Sequence, residues 1–505
     1  MEQPFILPMP TNKKRPRFFS KAWFRKLFME DRLAGKNGFL FLGATAVFFA
    51  LVVGKLGLVP GVLILAALIG LPLIYGLVVH PRFGVTFFLI AAYLIMWVMR
   101  LGIIDFPLGT LMDGMELLFI IGFFIKQKTR NEWELFNNSI SIIIVIWIVY
   151  NLLEVINPSA ESRLAWVYTI RSVAVVMLMF YIFLYNIRTK EFIRFIIKLW
   201  LVLSTFGALY GLKQQYIGFF QFEENYLNSD PNIANLLFIA GQWRKFSIFS
   251  DPVAFSYNMV VSSMLCIGMI TGPFKLWKKI VLGGLAGLFL FAMLHSGTRG
   301  AFVLPPVALA LLAILKFNKQ VMMAALIGGL GMVVLIFMPT SNPTIYRFQT
   351  AFRPSDDASF NVRKINQKRI QPYILTHPMG GGLGATGTWG IRFAPNSFLA
   401  NFPPDSGYVR VAVEMGWIGL FLICTLMFII LKTGVVNYYA IRDPELKSYC
   451  LSMVLIIFCY HIGNYPQEAI VQFPSNVYFY LVAALIVVTR RIDDAQNAGT
   501  SIQNL

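Results

Sequence analysis

Apolar stretches close to twenty residues long recur along nearly the whole chain. Each is about the length an α-helix needs to cross the hydrocarbon core of a bilayer. About fourteen can be placed, near 38–57, 59–79, 83–104, 107–125, 139–156, 170–187, 193–212, 253–272, 279–297, 301–317, 321–338, 405–431, 447–466 and 471–489. Composition agrees: 57% of residues are hydrophobic and only 13% charged, against about 25% charged in soluble domains. The expected fold is an all-α polytopic membrane protein of about 12–14 transmembrane helices with a large structured outer loop. Its expected organisation is a basic tail over 1–37, spans over 38–338 with an outer loop at 213–252, a large outer loop over 339–404, spans over 405–489, and a tail over 490–505. The stretch from Asp493 to Leu505 is polar and expected to be disordered.

The formal net charge of +19 is first a topology signal, because Lys and Arg gather on cytoplasmic loops. With the N-terminus inside, the even-numbered turns carry Lys126, Lys128 and Arg130; Arg188 and Lys190; Lys275, Lys278 and Lys279; Lys316 and Lys319; and Arg442. Arg490 and Arg491 follow the last span on the same side. The first 37 residues have no short apolar core or cleavage site, so they read as a cytoplasmic tail near anionic headgroups rather than a signal peptide. Nucleic-acid binding is the poorer explanation of the charge. The same parity places 157–169, 213–252 and 339–404 outside. The last holds Arg347, Arg353, Arg363, Lys364, Lys368, Arg369 and Arg392 against Asp356 and Asp357, seven cations less two anions, or +5. That excess points to an anionic ligand at the outer face; the plain alternative is a solvated loop. Cys266, Cys424, Cys450 and Cys459 all fall in apolar spans without metal-ligand or redox spacing, and read as small buried hydrophobes.

Four short segments can carry chemistry. Arg244-Lys245-Phe246-Ser247-Ile248-Phe249-Ser250-Asp251-Pro252 puts an arginine at the outer boundary, where it either forks onto a phosphate or snorkels as an anchor. His295-Ser296-Gly297-Thr298-Arg299-Gly300-Ala301 sets a second arginine in a turn between two close spans. Arginine there is expensive and usually partnered or functional, and the glycines allow close backbone approach. Pro378-Met379-Gly380-Gly381-Gly382-Leu383-Gly384 is a flexible run able to line a ligand, though no Gly-Lys-Ser/Thr follows as in a nucleotide phosphate loop. Asp405, after Pro403-Pro404, is placed either as a general base or as the N-cap of the next helix. Glu154, Arg163 and Arg171 flank another outer loop.

Taken in order, these segments resemble the O-antigen ligase and O-antigen polymerase family of bacterial envelopes. The resemblance runs from about 190 to 430 and ends in Glu414-Met415-Gly416-Trp417-Ile418-Gly419. It implies that an undecaprenyl-diphosphate-linked glycan is held at the outer leaflet, that two arginines bind the diphosphate, and that the glycan moves to an acceptor hydroxyl without metal or nucleotide. Carried over by motif, those arginines are Arg244 and Arg299. Ligase-like members place a histidine before the Gly-Tyr that opens the helix after the loop. Here the segment is Asp405-Ser406-Gly407-Tyr408. Aspartate can take a proton from a sugar hydroxyl, although its ordinary pKa of about 3.9 makes it a weaker base than histidine. His377, His295 and His461 are the alternative bases.

The expectation is an inner-membrane glycosyltransferase with its active face toward the periplasm, polymerising O-antigen or exopolysaccharide repeats. A ligase joining the glycan to lipid A-core, or a transporter of the lipid-linked glycan, are the alternatives. Asp405, Arg244 and Arg299 are the expected catalytic residues, with Arg363, Arg369, Arg410, His377 and Tyr408 contacting substrate. No cofactor or metal is expected. Expected partners are the lipid-linked oligosaccharide, an acceptor glycan (lipid-linked repeat or lipid A-core), the bilayer, and a chain-length regulator or other polysaccharide assembly proteins; nucleic acid is not.

Overall fold

A computed structural model describes residues 36–56, 70, 72, 74–102, 108–239, 241–353, 358–471 and 473–503. The chain divides into two compact units, Met1–Tyr75 and Gly76–Leu505. The first contributes helix Lys36–Leu56 on the first expected span. The expected basic tail and most of the span at 59–79 lie outside the described residues.

Among the described residues of the second unit the fold is all-α apart from a two-stranded hairpin, Phe238–Ile239 against Gln242–Trp243. Among the described residues nine helices are long and apolar enough to cross a membrane. The expected spans at 107–125, 301–317 and 321–338 fall on helices Leu108–Arg130, Leu304–Leu315 and Lys319–Phe337. Helices start where the sequence supplies caps. Asn138, Thr189, Asp251 and Asp443 each accept from a backbone N–H of the first turn, and Pro252 and Pro444 stand at the first helical position, where proline costs nothing.

Helices Pro252–Ile270, Pro444–Gly463 and the last one form the centre, with 83%, 78% and 83% of their apolar windows buried, against 28% for Leu276–Leu294. They approach closely because small residues face each other, as membrane helices require. A Cβ on Gly268 would lie 2.3 Å from Ser452 Oγ. Ser452 Oγ donates to Leu265 O at 3.1 Å, Tyr257 OH to Gly463 O at 2.8 Å, and Asn258 to Ser475 Oγ at 3.2 Å.

The turns expected to share a side do meet at one end of the bundle. Arg188 pairs with Glu132, Lys190 bonds Asp443 at 2.6 Å, Arg194 bonds Glu445 at 2.6 Å, and Lys316 donates to Thr271 O at 2.8 Å. The last helix, Ser475–Gln503, runs on through the stretch expected to be disordered. It does so because Asp493 accepts from the backbone of Arg442 and Asp443 at 3.1 and 2.8 Å, while Arg490 pairs with Asp494 at 2.8 Å.

The long polar segments gather at the opposite end, and they are folded. Segment 213–252 finishes helix Lys190–Tyr216, adds helices Gln221–Leu227 and Pro231–Leu237 and the hairpin, and buries Leu227, Leu237 and Phe246 together. Segment 339–404 holds helices Pro343–Thr350, Ala358–Thr376 and Gly387–Phe393. Its Ile370, Leu399 and Phe402 pack on Val413 of helix Gly407–Ala440. The expected loop 157–169 is largely helix Arg163–Val173, which Ser162 caps; its alternating polar residues hid it from hydropathy. Of the cysteines, Cys424 is exposed, contrary to expectation, because it lies on the outer surface of a peripheral helix; the other three are buried.

Candidate active site

Segment 244–252 is held from beneath. Ser247 has a left-handed backbone, φ +55°, and each of its polar groups is occupied. Its N–H donates to Gln214 at 2.8 Å, its O–H to Gly207 O, and its carbonyl accepts from Arg100 at 3.0 Å. Arg100 also lies 4.5 Å from the Phe246 ring centroid, a cation–π contact. Asp251 then caps helix Pro252–Ile270 through the N–H groups of Val253 and Ala254 at 2.7 and 3.0 Å. So the segment is fixed at both ends, and Arg244 projects from a rigid base.

Arg244 grips the turn that carries Arg299. Its Nε donates to Ser296 O and its Nη2 to Thr298 Oγ1, both at 3.0 Å. Thr298 Oγ1 donates in turn to Pro252 O at 3.1 Å, and Lys245 N donates to His295 O at 3.1 Å. Gly297 takes φ +60°, and a Cβ there would stand 3.0 Å from Arg347 Nε. Arg347, from helix Pro343–Thr350, donates through that nitrogen to Gly297 O at 2.7 Å. The two arginine motifs and the basic segment are thus one hydrogen-bonded unit.

Around it lies a cavity of about 650 Å³ with Arg244, Arg299, Arg347 and Arg363 in its wall, and Asp251 and Asp405 among the other lining residues. A smaller cavity of about 160 Å³ adjoins it and brings in His295. Burial, together with Arg347 and Arg299 nearby, pushes the Arg244 guanidinium down to about 10, and Asp251 only partly offsets this. Burial and Lys245 likewise push His295 down. A cavity with four guanidiniums in its wall favours a ligand of multiple negative charge, since each fork can meet two phosphate oxygens.

Asp405 is relieved of the capping duty the sequence left open. Ser406 is the N-cap of helix Gly407–Ala440 and accepts from Val409 N at 3.4 Å. Asp405 is exposed at the cavity with φ +25°, a strained geometry for a residue with a Cβ.

The remaining expected substrate contacts divide. Arg363 lines the cavity. Arg369 lies over Phe398 at 5.3 Å. His377 stacks on Tyr373 at 4.0 Å and bonds its carbonyl at 3.0 Å. Tyr408 bonds His461 Nδ1 at 2.9 Å, which occupies both groups. Arg410 pairs with Glu468 at 2.7 Å and Glu414 at 3.2 Å. None of these four lines the arginine cavity. Glu154 is buried and accepts from Asn157 at 2.7 Å, Arg171 pairs with Asp113, and Arg163 is exposed. Arg347 reads from the sequence only as loop charge; its place one turn into helix Pro343–Thr350, capped by Asn342, gains meaning because that helix packs on Gly297.

The glycine run does a different job from the one expected. Gly381 N donates to Val413 O and Gly382 N to Glu414 O, both at 2.9 Å. Glu414, buried, accepts from Gly384 N at 3.1 Å, Thr386 N at 3.3 Å and the Thr386 hydroxyl. Gly416 breaks the helix with φ +66°, and a Cβ there would lie 1.9 Å from Pro378 O. The run is therefore a joint that locks segment 339–404 onto the kinked helix.

Residues 284–424 match the family model Wzy_C, O-antigen ligase. The matched stretch contains the Arg299 turn, the folded segment 339–404 and the glycine joint, and over it the chain is O-antigen ligase/polymerase-like, a family of glycosyltransferase-like ligases and polymerases. Its many apolar helices are those of a multi-pass membrane protein. No curated protein matches the chain.

Proposed function

We propose that this O-antigen ligase/polymerase-like membrane protein is a metal-independent glycosyltransferase of the bacterial inner membrane, with the arginine cavity facing the periplasm. The donor is an undecaprenyl-diphosphate-linked oligosaccharide and the acceptor a sugar hydroxyl. The reading rests on one observation: four arginines and an exposed aspartate line the same cavity. Arg244 and Arg299, with Arg347 and Arg363 beside them, hold the diphosphate. The acceptor oxygen attacks the anomeric carbon as the bond from that carbon to the phosphate oxygen breaks. The electron pair leaves with the diphosphate, whose growing charge the guanidiniums stabilise. The acceptor proton passes to the Asp405 carboxylate.

Polymerisation of O-antigen or exopolysaccharide repeats is the preferred form, because Asp405 stands where ligase-like members have histidine. The description of the matching family model favours the ligase form as the second reading. A transporter is poorly supported: the break at Gly416 is filled by the chain's own Pro378–Gly380, whereas transporters use such breaks to line a substrate site. The test is polymer yield from Arg299→Ala and Arg244→Ala at normal protein level. A loss on the order of 10²–10³-fold is expected for removing one such stabilising donor. Full yield from either variant overturns the assignment.

A further inference from the structure

Beyond Asp405 the cleft continues into another cavity of about 470 Å³, lined by Asp405, Gln467, Glu468, Tyr257, Ser475 and several apolar residues. It shares Leu236, Asp251, Val253, Asp405 and Gln467 with the arginine cavity, so the two are parts of one cleft meeting at Asp405. Its size falls within the ~300–1,000 Å³ range of small-molecule sites. Its electrostatics are the reverse of its neighbour's: among the described residues no Lys, Arg or His lines it. A phosphate has no partner there. A neutral polyol does, because carboxylates accept from hydroxyls and a glutamine amide both donates and accepts.

The wall is built rather than incidental. It comes from the segment between helices Pro444–Gly463 and Ser475–Gln503, which is stitched to the start of helix Gly407–Ala440. Gly407 N donates to Asn464 O at 2.9 Å and Gln467 O at 3.4 Å, and a Cβ on Gly407 would lie 2.1 Å from Asn464 Oδ1. Glu468 is aimed by Arg410, whose Nη1 donates to Oε2 at 2.7 Å while its Nε holds Glu414. The Gln467 side chain makes no hydrogen bond to a described residue.

We propose that this second cavity is the acceptor subsite, in which Gln467 and Glu468 bind hydroxyls of the acceptor sugar so that one hydroxyl meets Asp405. It rests on the transfer reading above and adds the residues that select the acceptor. Arg410 is a positioning residue, acting through Glu468. In the step itself the acceptor oxygen bonds the donor's anomeric carbon, its proton goes to Asp405, and the diphosphate departs into the arginine cavity.

The test uses full-length protein in nanodiscs and two probes: repeat-unit oligosaccharide released from the host's own lipid-linked pool, and lipid A-core oligosaccharide. Calorimetry measures their binding to wild type, Gln467→Ala, Glu468→Gln and Arg299→Ala. Gln467→Ala leaves the Arg410–Glu468 pair intact, which guards against simple misfolding. At least one probe binds wild type; its affinity falls about tenfold or more in both cavity variants and is unchanged in Arg299→Ala. Binding of the repeat identifies a polymerase acceptor, and binding of the core a ligase acceptor; either supports the subsite. Binding of neither probe, or affinity lost in Arg299→Ala but kept in Gln467→Ala and Glu468→Gln, overturns it. If sugar binding follows the prediction while Arg299→Ala retains full polymer yield, the transfer reading fails and the sugar site stands.

Discussion

Arg244 carries its charge at a cost that an anion would relieve. Burial and two neighbouring guanidiniums hold it down to about 10, so its contribution to anion binding is present below that pH and is lost as pH rises through it. A lysine in its place starts lower, from about 10.4, so the same burial and neighbouring guanidiniums bring the loss of its proton closer to neutral pH. Arg244→Lys should therefore retain partial transfer at pH 6.5 and lose it by pH 9, while wild type stays flat across that range. A parallel pH profile for the two proteins would contradict the charge role. Asp405 is the other residue whose environment defines its task. Ser406 has taken the N-cap, leaving an exposed carboxylate at the cavity. Asp405→Asn should lower kcat by ~10²–10⁴-fold with little change in donor KM, the pattern of a lost general base. A raised donor KM at unchanged kcat would make Asp405 a binding group instead.

The helix Gly407–Ala440 and the glycine run before it act as one element. Gly380 has φ +71° and would place a Cβ 2.5 Å from the Glu414 carbonyl carbon. Gly380→Ala therefore meets both backbone strain and overlap, and should cost at least ~1–3 kcal/mol, seen as a lower melting temperature and less protein in the membrane. Glu414→Ala leaves Arg410 to Glu468 alone and strands the backbone donors of Gly384 and Thr386, and should cost at least ~1–3 kcal/mol. Normal melting of both variants would show that the joint is loose. The sequence pattern exposed both halves of this joint as motifs but not their relation. A run of glycines reads as flexible when its neighbours are unknown, and only the contact with Gly416 shows why no side chain fits. The apolar spans, by contrast, were legible because lipid demands continuous hydrophobic length. The helical end of the chain was not, since tertiary hydrogen bonds at Asp493 stabilise it, and helix Arg163–Val173 starts from a local cap at Ser162 in a stretch of mixed polarity.

The unit Gly76–Leu505 is a two-ended bundle, with interlocked charged turns at one end and folded polar segments enclosing a cleft at the other. Arg244 and Arg299 were readable as candidates because short motifs place them at span boundaries. Arg347, Gln467 and Glu468 were not singled out, because they reach the cleft from segments about 120 residues apart, joined only by packing. The positive-inside rule predicts the sidedness, which can be checked directly. Ser341→Cys, in the folded segment, should react with a membrane-impermeant thiol reagent in intact cells, and Lys278→Cys, at the other end, should not. The reverse pattern would invert the topology. The most direct test of the central claim is glycan length on the lipid carrier and on the final acceptor in cells lacking this protein, complemented with wild type or with Arg299→Ala. The account predicts single, unpolymerised repeats accessible from outside, restored to long chains by wild type alone. Long chains stranded on the lipid carrier would assign the ligase form of the same chemistry. Repeats confined to the cytoplasmic leaflet would mean that the protein moves the glycan rather than joining it, and would contradict the account.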